Sequence, residues 1–295
     1  MNAPPQPRDS AKPKVGVVLG SGGIKTLAAI PLFNLFEQHN IEIDLLVGCS
    51  GGALLASLIG CNYSTDDIRA LIETFLNRKL FSKINMRTFL GMLKLPMGDF
   101  NNASSLLKPD ALRSLYRQLF QDRRLENLHP ATVLHATDLE TGEGVLLSSG
   151  LLADAVYAST AYYPYLSPLQ VNNKWLVDGA FSASLPLMEA VKKNMDIIIS
   201  VSVECRPIEK PKNLLQNYNY LLEKMKTSYE RSQVPLAIDF HHHEIVFVNI
   251  IFDRIIEMWE VDQIPAILEK GHQTVTVKQE EILSVINSFS GLHNA

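Results

Sequence analysis

Residues Ile41–Ile59 read IEIDLLVGCSGGALLASLI. An apolar run through Val47 stops at the cluster Gly48-Cys49-Ser50-Gly51-Gly52, and a second apolar run follows it. Apolar run, glycine cluster and apolar run in that order predict a buried strand, a tight turn and a buried helix through about Ile59. The stretch from residue 45 to 65 carries no charge and approaches the ~20 residues of a membrane span. The glycines and small residues in its middle argue instead for the strand–turn–helix reading. The same punctuation occurs one step earlier. Lys14–Leu19, KVGVVL, ends at Gly20-Ser21-Gly22-Gly23-Ile24-Lys25, and a mostly apolar segment runs from Thr26 to His39. Pro31 lies in that segment and fits best in the first turn of its helix, where a missing N–H costs nothing.

Further along, Thr65 with Asp66 and Asp67 starts a helix whose acids suit its N-terminus. Ile68, Leu71, Ile72, Phe75 and Leu76 form its apolar stripe. The chain from residue 80 to 108 is less regular, and a helix resumes after Pro109. ATVLHATDL and EGVLLSS read as strands joined at Glu140-Thr141-Gly142, a hairpin signal. LLADAVYAS is a helix, NNKWLVDGA a turn, a strand and a turn, and Pro186 opens another helix. DIIISVSV is a strongly apolar strand by pattern, and the tail alternates long helices with a strand near HEIVFV. Alternating strands and helices with short connections predict a three-layer α/β/α sandwich around a mainly parallel central sheet. With neither repeat nor linker, residues 14–290 read as a single domain behind a disordered lead of residues 1–13.

Composition narrows the function. The 295 residues include 27 Lys and Arg against 31 Asp and Glu, a net charge of −4, which disfavours a nucleic-acid partner. Apolar residues make up 46% of the chain, ample for a core and incompatible with disorder over most of its length. Cys49, Cys61 and Cys205 are an odd number without metal-like spacing, so neither a disulfide framework nor a zinc site is readable. The N-terminal residues lack an apolar h-region, so no signal peptide is read and a cytoplasmic location is expected.

Three segments carry chemistry. Gly20–Lys25 follows a strand, and its glycines permit positive φ and consecutive exposed N–H groups, a nest for a phosphate or an oxyanion. A P-loop would need glycine at the positions of Leu19 and Ile24. A dinucleotide fingerprint would need glycine at Lys25 and an acid where Val47 and Gly48 stand. An oxyanion hole and a merely structural turn remain. Gly48-Cys49-Ser50-Gly51-Gly52 is a G-x-S-x-G between strand and helix, the context of a nucleophile elbow. Val177-Asp178-Gly179-Ala180 closes a short strand. It is either an ordinary D-G turn or the partner of Ser50, since a serine needs a base to take its proton. His241, His242, His243, His272 and His293 follow Asp178, so order alone leaves a hydrolase triad open. None of them sits in a small-residue turn at a strand end, and the triple-histidine run reads as a polar strand entrance.

Together these segments resemble the patatin-like phospholipases. HATDLETGEGVLLSSGLLADAVYAST, the proline-containing loop through Pro168 and NNKWLVDGA extend the likeness over residues 14 to 205. The resemblance implies a Ser–Asp dyad without histidine, with Ser50 as nucleophile and Asp178 as base. It implies an oxyanion hole at Gly22, Gly23 and Ile24, with Lys25 as the loop's basic residue, either a head-group contact or a loop anchor. The chain departs from the family at Ser21, which replaces a glycine, at Thr26, where a glycine usually follows the basic residue, and at Pro31. The implied activity is hydrolysis of carboxylic esters of phospholipids or other acyl lipids, without metal or cofactor. The partners are a phospholipid or lysophospholipid substrate and a peripheral membrane contact, with oligomeric state left open. An acyltransferase of the same fold group and a weakly catalytic lipid-binding protein are the alternatives. Met86, Phe89, Met92, Leu93, Leu95 and Met97 are expected to form a lid or acyl groove, or else ordinary core. IIFDRIIEMWEV is amphipathic, but Asp253, Glu257 and Glu260 do not favour an anionic membrane.

Overall fold

The computed structural model describes residues 12–75, 78–206, 210–241, 243–257 and 260–292. The lead up to residue 11, Leu76, His242, Met258, Trp259 and His293 lie outside the described residues. In chain order the elements are β1 (Val15–Leu19), a 3-10 turn (Gly23–Ala29), α1 (Ile30–Gln38), β2 (Leu45–Cys49), α2 (Gly51–Gly60) and α3 (Thr65–Phe75). They continue with α4 (Met86–Met92), α5 (Asp110–Phe120), β3 (Ala131–Asp138), β4 (Gly144–Leu147), α6 (Leu152–Thr160), β5 (Leu169–Val171) and β6 (Lys174–Asp178). The last third holds α7 (Ala180–Ala183), α8 (Leu187–Lys192), β7 (Ile197–Cys205), α9 (Leu214–Phe240), β8 (Glu244–Phe252) and α10 (Ile264–Leu292).

The strands form one eight-stranded sheet in the order β5-β6-β3-β2-β1-β7-β8, with β4 paired to β3. The run β3-β2-β1-β7-β8 is parallel throughout. Its strands are apolar on both faces, as a sheet covered on both sides requires. Alternate residues serve different layers. Val17, Leu19, Leu46, Ile197 and Ile199 join a core with Leu32 and Phe36 of α1, Leu55 of α2, Val156 of α6 and Ile267 of α10. Val18, Leu45, Val47, Val133 and Ile198 join a second core with Leu187 and Val191 of α8 and Ala237 of α9. This is the expected three-layer α/β/α sandwich.

Most elements fall where the sequence puts them, and the hairpin β3–β4 turns at Glu140–Gly142 as read. The chain after the glycine loop differs. It winds a 3-10 turn over Gly23–Ala29 before the α-helix begins, and Pro31 lies in the first turn of that helix. The turn before Lys174 is flanked by a three-residue strand, β5, too short to leave a pattern in sequence. His241 caps the C-terminus of α9 and His243 directly precedes β8, so these two histidines of the run lie at a strand entrance as expected.

Candidate active site

Gly48-Cys49-Ser50-Gly51-Gly52 forms a tight turn between β2 and α2, with Ser50 at φ 55° and ψ −123°. A non-glycine residue held there stores about 1–3 kcal/mol of backbone strain. The glycines are required by close approach. A Cβ on Gly48 would fall 2.6 Å from Ala53 Cα, one on Gly52 would strike the Leu19 and Gly20 carbonyls, and one on Gly51 would strike the Gly23 carbonyl. Ser159 of α6 fixes the turn. Its hydroxyl donates to the His135 carbonyl at 2.6 Å and accepts the Ser50 N–H at 3.1 Å.

Strand β3 sets Asp178 against this turn. Leu134 and His135 pair with β2 and β4 at once, and Ala136 and Thr137 pair with β4 and β6. Strands β2 and β6 therefore follow one another along one edge of β3. Cys49 is opposite His135 and Asp178 opposite the next residue, Ala136. The Ser50 hydroxyl donates to Asp178 Oδ2 at 2.6 Å. The other carboxylate oxygen accepts the Ala180 N–H at 2.9 Å, and Thr137 Oγ1 donates to the Asp178 carbonyl at 2.9 Å. Asp178 is buried, and burial pushes its carboxyl up to about 6, while the Ser50 hydroxyl, the Ala180 N–H and the Lys226 charge pull the other way. A carboxylate so raised is a better proton acceptor than a free one.

The glycine loop faces the same point. Gly20 and Ser21 spend their N–H groups on Val201 and Ser184 carbonyls. The N–H groups of Gly22, Gly23 and Ile24 have no hydrogen-bond partner among the described residues, and all three residues line the cleft with Ser50. Gly23 has φ 57°, the left-handed conformation for which its glycine was read. Lys25 is buried and donates to the Ile256 carbonyl at 3.4 Å, an anchoring contact, while also lining the cleft. The Thr26 hydroxyl donates to the Gly23 carbonyl at 2.8 Å and so closes the turn. Lys226 of α9, which nothing in the sequence singles out, donates to the Val203 carbonyl at 3.0 Å and the Ser21 carbonyl at 3.4 Å. Burial pulls its pKa down, but Glu223 and Glu230 outweigh that and hold it above the ordinary lysine value.

Ser50 and Asp178 open onto a cleft of about 400 Å³, walled by Leu27, Leu54, Leu112, Leu166, Leu222 and Ile256 among others. Among the described residues no histidine lines this cleft. His135, the histidine nearest in register, turns to Ser182 at 3.0 Å, and burial lowers its pKa to about 4, leaving a neutral ring. Among the described residues no three metal-ligating side chains come together. The methionine-rich segment forms neither an acyl groove nor ordinary core. Met86, Phe89, Met92, Leu93, Leu95 and Met97 neither line the cleft nor join the core; all are exposed. Of the amphipathic stretch near β8, Ile255 and Ile256 line the cleft.

A strained serine at a strand–helix turn, bonded to a buried aspartate in a doubly covered, mainly parallel sheet, defines a class of α/β protein with a serine–carboxylate pair. The chain belongs to the patatin-like phospholipase family, whose profile matches residues 17–191. It is 24% identical over 189 residues to lysophospholipase NTE1 of Kluyveromyces lactis, covering 64% of this chain and 12% of that protein. It is 26% identical over 196 residues to the NTE family protein Mb1092c of Mycobacterium bovis, covering 66% and 51%. YqhO of Bacillus subtilis is 23% identical over 256 residues, covering 79% and 86%. The first two relatives are thus much longer than the part this chain matches. Among solved structures, VipD of Legionella pneumophila shares the fold, with a TM-score of 0.53 at 12% identity, over 94% of this chain and 67% of that one.

Proposed function

We propose that the protein is a serine lipid acyl hydrolase, with Ser50 as nucleophile and Asp178 as its general base. The observation that carries this reading is the 2.6 Å hydrogen bond from Ser50 Oγ to a buried carboxylate at the wall of an apolar cleft. Asp178 takes the hydroxyl proton as Ser50 Oγ bonds to the ester carbonyl carbon. The carbonyl electron pair moves onto oxygen, where the N–H groups of Gly22, Gly23 and Ile24 receive it, each worth roughly a hundredfold in rate. Collapse expels the alcohol, which leaves with the proton from Asp178, and an acyl-Ser50 ester remains. Water then gives its proton to Asp178 and attacks the acyl carbon. Ser50 departs, regains the proton, and a free fatty acid is released.

The apolar cleft walls suit an acyl chain, and the Kluyveromyces lactis relative bears the name lysophospholipase, so we infer a phospholipid or lysophospholipid substrate. Residues 14–290 serve this reading as one catalytic unit, because the parts outside the family match supply Lys226 and the far wall of the cleft. The test is a pre-steady-state assay with a chromogenic fatty-acid ester. A burst of alcohol equal to the enzyme concentration is expected, and Ser50→Ala loses it with at least a thousandfold of the turnover, roughly the full effect of removing a nucleophile. A burst that survives in Ser50→Ala sinks the assignment. Transfer of the acyl group to an added alcohol in preference to water points instead to an acyltransferase.

A further inference from the structure

The segment from Phe81 to Leu107 leaves the sandwich and returns to it. Its two ends are clasped by the pairing of Ile84 with Leu107 and by the Asn85 N–H on the Leu106 carbonyl at 2.8 Å. The clasp sits on the cleft. Phe81 lines it, and the Leu106 and Leu107 N–H groups donate to the Pro164 and Tyr165 carbonyls at 2.8 and 3.0 Å. From Tyr165 an aromatic stack continues along the rim, to Tyr162 at 6.0 Å and on to Phe181 at 5.3 Å.

Between its ends the segment presents apolar side chains to solvent. Met92 is 65% exposed, Met97 87% and Phe100 68%, and Met86, Phe89 and Leu95 are exposed beside them. A contiguous run of this kind on a protein surface marks an interaction site. Its charge identifies the partner. Lys83, Arg87, Lys94 and Lys108 are exposed and Asp99 is the segment's one acid, so residues 81–108 carry +3 (four bases minus one acid) in a chain of net charge −4. None of the four cations has an ion-pair partner among the described residues. Methionine, leucine and phenylalanine flanked by lysine and arginine match a bilayer's apolar interior and anionic head groups. No described helix is long and apolar enough to cross a membrane.

We propose that residues 83–108 dock the protein on an anionic lipid bilayer, with Met92, Met97 and Phe100 entering the interface and Lys83, Arg87, Lys94 and Lys108 meeting the head groups. The clasp then holds the mouth of the cleft against the lipid. The proposal rests on the hydrolase reading for its purpose but not for its test, which measures binding without turnover.

Ser50→Ala protein is sedimented with vesicles of phosphatidylcholine alone, and of phosphatidylcholine with one third phosphatidylglycerol. Pelleting with the anionic vesicles and weak pelleting with neutral ones are expected. Arg87→Glu/Lys94→Glu in that background should weaken binding by roughly fivefold or more per side chain, an effect that raised salt reproduces by screening. Met92→Asp/Met97→Asp should abolish pelleting while the melting temperature holds, because both side chains are already in water. In the Ser50 parent the same pair of changes should leave hydrolysis of a soluble short-chain ester unaltered. Equal pelleting with neutral and anionic vesicles, or unchanged binding by Met92→Asp/Met97→Asp, overturns the proposal. So does a parent that fails to pellet yet is a dimer by light scattering and becomes a monomer on these substitutions, since the face would then be a self-interface.

Discussion

Asp178 is held at a cost. Its native carboxyl titrates near 6, whereas an unfolded chain releases that proton near 3.8. Between those values the native state binds more protons than the unfolded state, so this group makes stability fall as pH rises, and the loss is complete above about 6. Asp178→Asn removes the buried charge and keeps an amide of the same shape. It should abolish esterase activity by at least about a thousandfold, since an amide takes no proton. It should also melt higher than the parent, by a margin that opens between about pH 4 and 6 and is constant above. Melting curves of both proteins across that range decide it. A variant no more stable than the parent at neutral pH means that the carboxylate is solvated well enough to be harmless. The rate should follow the same carboxyl, rising with pH through about 6 as Asp178 ionises. Lys226 has a share in that value, because its charge favours the carboxylate, and the proposed mechanism gives it a positioning role. Lys226→Met should move the rising limb of the kcat/KM profile to higher pH. A lower plateau with an unmoved limb would confine Lys226 to holding the Ser21 and Val203 carbonyls.

At the scale of elements, both strand–glycine turns were legible because glycine clusters punctuate apolar runs, but the 3-10 turn between the first of them and α1 was not. The pair Ser50 and Asp178 was legible only as two motifs plus a resemblance, since their meeting depends on registry with β3, which neither motif encodes. Ser159 and Lys226 left no signal at all: a serine in a small-residue helix and a lysine in a long polar helix are common, and only tertiary contact gives them work. Residues 86–97 misled for a related reason. Apolar content reports what water rejects, but it does not say which surface, protein or lipid, covers the residue. The glycine loop allows a sharper test. Thr26 bonds the Gly23 carbonyl, and its methyl is where a Cβ on Gly22 would lie 3.1 Å away, so the threonine braces the loop. Thr26→Gly removes that bond and adds backbone freedom, and should cost about 1–2 kcal/mol of stability. Its kcat should fall with KM little changed, because oxyanion donors act only in the transition state. A glycine variant with a higher kcat would mean that the threonine holds the loop off its best position.

Across the whole molecule the site depends on chain well beyond the profile match at residues 17–191. Helix α10, near the C-terminus, packs against the 3-10 turn that follows the glycine loop. Contact is close at Gly271, where a Cβ would overlap the Ala28 carbonyl and stand 2.8 Å from its Cα. In an exposed helix interior, replacing glycine by alanine stabilises by about 0.5–1 kcal/mol, because the unfolded chain loses freedom. Here the backbone of Ala28 is the obstacle, and backbone in a close-packed layer cannot step aside as a flexible side chain does. Gly271→Ala should therefore reverse the usual sign and cost about 1–3 kcal/mol by overpacking. The displaced turn carries Gly23 and Ile24 at its start, so the proposed oxyanion donors should shift with it and kcat should fall, although Gly271 is absent from the cleft lining. A denaturant titration and steady-state kinetics on this one variant separate the two effects. Lower stability with unchanged kcat would make α10 a buttress for the fold alone. A stability gain would mean that the helix stands farther from the turn than its contact with Ala28 implies.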